Sequence, residues 1–138
     1  MKFENSQYFK IKHYKIERPF GNFYLLESFF ISELNEGIHF DWEMVKSIMD
    51  ELIMFYGSDA QIGYISNRFN SYSLNPQVWE EIDEKYGIMV AAAIVTYNPM
   101  AFMNATLEKQ FYKKSIKRCD SLEVAFQWIS NLRELKKD

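Results

Sequence analysis

Ile88 to Val95, IMVAAAIV, is an unbroken apolar run with branched aliphatic residues at both ends. It is far too short to span a bilayer, which takes about 20 residues of helix. Its length and branching fit a strand covered on both faces. Such strands belong to parallel sheets layered between helices, so this run commits the chain to an α/β arrangement.

The flanking segments repeat the alternation. Before the run, Asp41 is a good N-cap, and Val45, Ile48, Met49, Leu52, Ile53 and Tyr56 follow the spacing of one buried helical stripe, with Gly57 as its stop. Ile62, Tyr64 and Ile65 read as a strand. Asn75-Pro76 opens a short helix with Val78, Ile82 and Tyr86 on one face, closed by Gly87. After the run, Asn98-Pro99 opens another helix, for which Met100, Met103, Leu107 and Phe111 are the expected buried stripe. A strand around Ile116 to Cys119 follows. Asp120 with Glu123 resembles a capping box for a last helix, whose stripe is Leu122, Ala125, Phe126, Ile129 and Leu132 and whose end carries Arg133, Lys136 and Lys137.

The N-terminal third reads as β-structure. Ile11 to Ile16 mixes apolar and polar residues, Arg18 to Asn22 is a turn signal, and Phe23 to Leu26 and Phe29 to Leu34 are aromatic and branched. Glu27-Ser28 either bends one long strand or separates two. Residues 1–10 show no pattern and are expected to form a loose arm. The order β-β(-β)-α-β-α-β-α-β-α predicts a single α/β domain over 1–138, with a mostly parallel mixed sheet of about five strands, an antiparallel hairpin at one edge and four helices.

Composition bears on partners. A net charge of −3 and a pI near 5.5 argue against nucleic acid, whose phosphates call for a concentrated basic face. Lys109, Lys113, Lys114, Lys117 and Arg118 come nearest to one, and are read as helix-end and solvating charges. The lone Cys119 excludes an intramolecular disulfide and a cysteine cluster, and reads as a buried inert thiol. His13 and His39 stand in different elements without metal-ligand spacing, and five scattered glycines form no phosphate loop. No catalytic grouping, cofactor or metal is expected, so the chain is read as not an enzyme. The N-terminus has no apolar signal region, and a cytoplasmic protein without membrane insertion is expected.

The remaining chemistry lies in Gln61 to Pro76, where a strand runs into a polar segment ahead of a helix. Ser66, Asn67, Arg68, Asn70, Ser71, Tyr72 and Ser73 are read as a loop at the carboxyl end of that strand, where open α/β sheets bind ligands. A hydroxyl beside a helix N-terminus suits phosphorylation, because exposed N–H groups stabilise the added charge. Alternatively, these side chains hold the loop through local bonds to the backbone.

The element order resembles the STAS domain of bacterial anti-sigma factor antagonists, and more closely the SpoIIAA-like, STAS/SEC14-type bacterial proteins. The similarity runs over about residues 20–130 and is carried by FFISELNEGIHFDWEMV (29–45), YISNRFNSYSLNP (64–76), AAAIVTYNPMAFMNATLEKQFY (91–112) and SLEVAFQWI (121–129). The antagonists carry an Asp-Ser-Ser/Thr-Gly motif that a partner kinase phosphorylates. Its place here is Asn70-Ser71-Tyr72-Ser73, which implies Ser71 as acceptor, although Asn replaces Asp, Tyr replaces the second hydroxyl and Gly is absent. The resemblance implies a regulatory module that binds an unidentified protein partner. Its SEC14 side implies a carrier of a small apolar ligand, with Met100, Phe102, Met103 and Phe111 lining a cavity. A homodimer formed through the N-terminal hairpin edge is a third reading, since that edge leaves backbone groups unpaired.

Overall fold

In the computed structural model, which describes residues 1–135, Ile88–Val95 lies at the heart of a six-stranded sheet. The N-terminal β-region is three strands: β1 (Tyr14–Arg18), β2 (Gly21–Leu25) and β3 (Phe29–Leu34), paired antiparallel. Glu27-Ser28 thus sits in a turn between two strands. β3 then pairs in parallel with β5 (Ile62–Arg68), β5 with β7 (Met89–Thr96), and β7 with β8 (Ser115–Cys119), in the order β1-β2-β3-β5-β7-β8. Two short strands, β4 (His39–Phe40) and β6 (Ser73–Leu74), form a separate parallel pair. The expected mixed sheet is present, with one strand more than the five expected.

Four helices cover the sheet: α1 (Trp42–Tyr56), α2 (Val78–Lys85), α3 (Pro99–Lys109) and α4 (Leu122–Ser130). Asp41 caps α1 by accepting the Met44 N–H at 3.0 Å, and Gly57 ends it at φ 98°, a left-handed value that favours glycine. Asn98 caps α3 through the Ala101 N–H at 2.9 Å, with Pro99 in the first turn. Two starts differ from expectation. Ser121, not Asp120, caps α4 through the Val124 N–H at 3.1 Å. Asn75-Pro76 forms a turn ahead of α2, in which the Asn75 side chain accepts the Gln77 N–H at 3.1 Å. Lys136 and Lys137 lie outside the described residues.

Two apolar cores sandwich the sheet. Val45, Ile48, Met49 and Leu52 of α1, Val78, Trp79 and Ile82 of α2 and Ala105 of α3 pack on one face, against Phe23, Phe30, Ile62, Ala92 and Ile94. On the other face, Leu122, Ala125, Phe126 and Ile129 of α4 pack against Tyr24, Ile31, Ile65, Ala93 and Val95. Gly63 lets α4 approach: a Cβ there would stand 2.7 Å from Ile129 Cδ1. Cys119 is buried in this second core, and burial pushes its thiol up to about 11. It should therefore react with a disulfide reagent at neutral pH only as fast as the protein opens. Rapid labelling of the native chain would contradict this burial.

The N-terminal segment is not a loose arm. Phe3 is fully buried in the second core, stacked near Phe126 and Tyr24, and Tyr8 lies flat on Phe126 at 3.9 Å. Its apolar residues are too few and irregular to show periodicity: of two short 3-10 turns, Phe3–Asn5 and Gln7–Lys10, the first buries Phe3 and the second buries none of its residues. Removal of the buried ring in Phe3→Ala is expected to lower unfolding free energy by about 3–5 kcal/mol in urea titration. A change below about 0.5 kcal/mol would place the segment outside the cooperative unit.

Candidate functional site

β5 continues as a strand to Arg68, beyond the expected end at Ile65, so Ser66, Asn67 and Arg68 are strand residues and not loop residues. All three are buried, at 0%, 2% and 7% exposure, because strands on both sides and helices above and below enclose this end of β5. Alternation sends Ser66 and Arg68 to one face of the sheet and Asn67 to the other.

On the first face, the Arg68 guanidinium forms a two-pronged pair with Glu108 of α3, at 2.6 and 2.7 Å. Arg68 Nε donates to Ser66 Oγ at 3.0 Å, and the Trp79 indole N–H of α2 donates to Glu108 at 2.9 Å. Ser66 also shares a hydrogen bond with the Tyr72 hydroxyl at 3.1 Å, and the guanidinium lies over the Tyr72 ring at 5.4 Å. Burial opposes the Arg68 charge. Tyr72 and the bonds and charge of Glu108 outweigh it and hold the guanidinium protonated beyond its ordinary range. Next to this network Ser32 hydrogen-bonds the Tyr64 hydroxyl, whose ionisation burial pushes well up.

On the second face, Asn67 donates to the Glu33 carboxylate and to the Met1 carbonyl, both at 2.8 Å, and accepts the Tyr97 hydroxyl at 2.6 Å. Glu33 also accepts the Phe3 N–H at 2.8 Å. Burial raises the Glu33 carboxyl, and these two donors work against the rise. This cluster fastens the N-terminal segment to the sheet.

Asn70, Ser71, Tyr72 and Ser73 do form the rim beyond β5. Asn70 donates to the Leu34 carbonyl at 3.1 Å, the Gly37 N–H donates to the Ser71 carbonyl at 2.7 Å, and Ser73 shares a 2.8 Å bond with His39 Nδ1. Ser71 is exposed, and its backbone N–H donates to the Glu36 carboxylate. β6 and the Asn75–Gln77 turn separate it from α2, so it is not beside a helix N-terminus. A phosphate on Ser71 would meet Glu36 rather than free amides. Glu36, Glu108, Trp79 and Glu33 escaped the sequence reading. The available signal was Arg68 itself, a cation on an otherwise apolar strand that needs a buried carboxylate.

The same pair turns α3 over relative to expectation. Its inward positions are Ala101, Ala105 and Glu108, one or two residues past members of the expected stripe, a rotation of roughly a third of a turn, about 120°. Small residues let the helix approach the alanine-rich β7, and Glu108 enters as the partner of Arg68. Met100, Met103 and Leu107 are consequently 68%, 66% and 49% exposed, and Phe102 is 44% exposed. Phe102 is backed by the Arg118 guanidinium at 4.6 Å. A groove of about 550 Å³ adjoins the C-terminal end of α3, lined by Lys109, Lys114, Lys117, Arg118 and Trp128 among others. The larger groove, about 1480 Å³, lies between His13, Leu26, Phe55 and Leu135 at the other end of the sheet. Met100, Phe102, Met103 and Phe111 do not line it, and of these only Phe111 packs on the core.

A solved structure with a similar fold is an uncharacterised protein of the DUF3478 family from Shewanella loihica PV-4, described as SpoIIAA-like. It superposes with a TM-score of 0.52 at 12% identity, over 86% of this chain and 92% of that one. The chain thus has a SpoIIAA-like fold. No protein-family model matches the sequence, and no curated protein matches it. Among the described residues no helix is long and apolar enough to cross a membrane.

Truncation of either partner of the buried pair leaves an uncompensated charge. Arg68→Met and Glu108→Leu are each expected to cost about 3–5 kcal/mol in urea unfolding, and the double variant should recover most of the loss. Additive losses in the double variant would show that the two side chains act separately.

Proposed function

We propose that this chain is a non-enzymatic binding domain whose docking face is the outer side of α3. The observation that carries the reading is the exposure of Met100, Phe102, Met103 and Leu107 on one helix of only 11 residues. Contiguous exposed apolar side chains mark interaction surfaces in soluble domains, and methionine adapts to varied partners. Lys109, Lys117 and Arg118 at the end of this helix add positive charge to a chain that is acidic overall. The partner that complements both is a protein with an apolar patch rimmed by carboxylates. The polar residues at the end of β5 then serve as the frame that fixes the orientation of α3. The interior-carrier reading loses its main support, since three of its four named side chains face outward.

A photo-reactive phenylalanine analogue in place of Met103, expressed in the native cells, tests the reading. A discrete protein adduct is expected, reduced at least about tenfold by Leu107→Glu, a change of about 1.4 kcal/mol or more. The adducted peptide should be rich in Asp and Glu. Adducts to lipid, or none besides the chain itself, would overturn the proposal.

A further inference from the structure

Among the described residues the sheet ends in two unpaired edge strands, β1 and β8, and their charges differ in kind. β8 carries Lys117 and Arg118 in succession, with Lys114 just before it held by Asp83 at 3.0 Å. Antiparallel pairing of two such strands about their centre would put Lys117 against Lys117, so this edge repels its own copy. β1 reads Tyr14-Lys15-Ile16-Glu17-Arg18, a cation and an anion placed symmetrically about an apolar centre. Laid antiparallel on a second copy about Ile16, Lys15 falls opposite Glu17 of that copy, and Glu17 opposite its Lys15. Tyr14 falls opposite Arg18, a ring facing a guanidinium.

The backbone suits this register. β1 and β2 are joined by the two-residue turn Pro19-Phe20, with Arg18 paired to Gly21 and Ile16 to Phe23. Antiparallel ladders alternate, so Arg18, Ile16 and Tyr14 spend their N–H and C=O groups on β2, while Lys15 and Glu17 turn theirs to the open edge. Those are the residues the twofold register sets opposite one another. Further contact area stands beside the edge: Tyr14 is 57% exposed and stacked on Phe55 at 5.8 Å, Phe55 is 49% exposed and Met54 84%. Among the described residues Lys15 and Glu17 form an ion pair with each other at 3.2 Å, and the Lys15 ammonium also lies over the Tyr24 ring at 5.8 Å.

We infer that β1 is the interface of a twofold homodimer, in which two β1 strands pair antiparallel about Ile16 and join two sheets into one. The interface lies at the opposite edge of the sheet from β8, so it and the α3 docking face can be tested separately.

Analytical ultracentrifugation of the full chain over a concentration series tests the inference. The unaltered chain should dimerise reversibly. Lys15→Glu and Glu17→Lys should each weaken the dimer at least about tenfold, because like charges then face one another across the strands. The double variant carrying both should regain the dimer, since opposite signs face again in the exchanged order. Both side chains are solvent-exposed, at 38% and 72%, so the folded state tolerates the exchange, and circular dichroism verifies it. A chain that stays monomeric, a dimer indifferent to the single changes, or a double variant that fails to recover would each overturn the proposed pairing.

Discussion

The bidentate pair between Arg68 and Glu108 is the constraint on which the arrangement of this molecule turns. Both side chains are almost wholly removed from water, and neither charge is tolerable there without the other. The pair ties the central strand β5 to α3, Trp79 adds a bond from α2, and Ser66 and Tyr72 complete the remaining contacts. Each bond is directional, so the network specifies which side of α3 meets the sheet. Apolar packing alone would have favoured the face with Met100, Met103 and Leu107.

A second consequence is the division of labour along β5. Three consecutive polar residues, Ser66, Asn67 and Arg68, are buried at the carboxyl end of a strand that is otherwise apolar or aromatic. Alternation distributes them to two networks, one locking α2 and α3 and the other holding Met1 through Asn67 and Phe3 through Glu33. The position at which open α/β sheets often bind ligands is here used to clamp the structure from both sides. The two proposed contact surfaces, the turned-out face of α3 and the strand edge β1, lie outside this clamp.

Much of the fold was legible because it rests on periodicity. The uninterrupted apolar run at 88–95, the stripe of α1, and the Asp41 and Asn98 caps each encode their structure within a few residues. The polar segment was less legible. Ser66, Asn67 and Arg68 have the composition of a loop, and only the presence of Glu108, forty residues away, of Asn67's partner Glu33 and of the Met1 carbonyl makes a buried strand end possible. The N-terminal segment was misread for the same reason: Phe3 acquires meaning only against Phe126 and Tyr24.

The sequence by itself determined the alternation of strands and helices, the helix starts at Asp41 and Asn98, and the double-sided burial of β7, since these follow from local hydrogen bonding and from the 3.6- and 2-residue periods of side-chain direction. Tertiary structure decided which face of α3 turns inward, whether residues 1–10 belong to the core, and that Arg68 is a structural charge. Those outcomes depend on pairs of residues distant in sequence, whose bonds outweigh local preference only once the sheet has brought them within hydrogen-bonding distance.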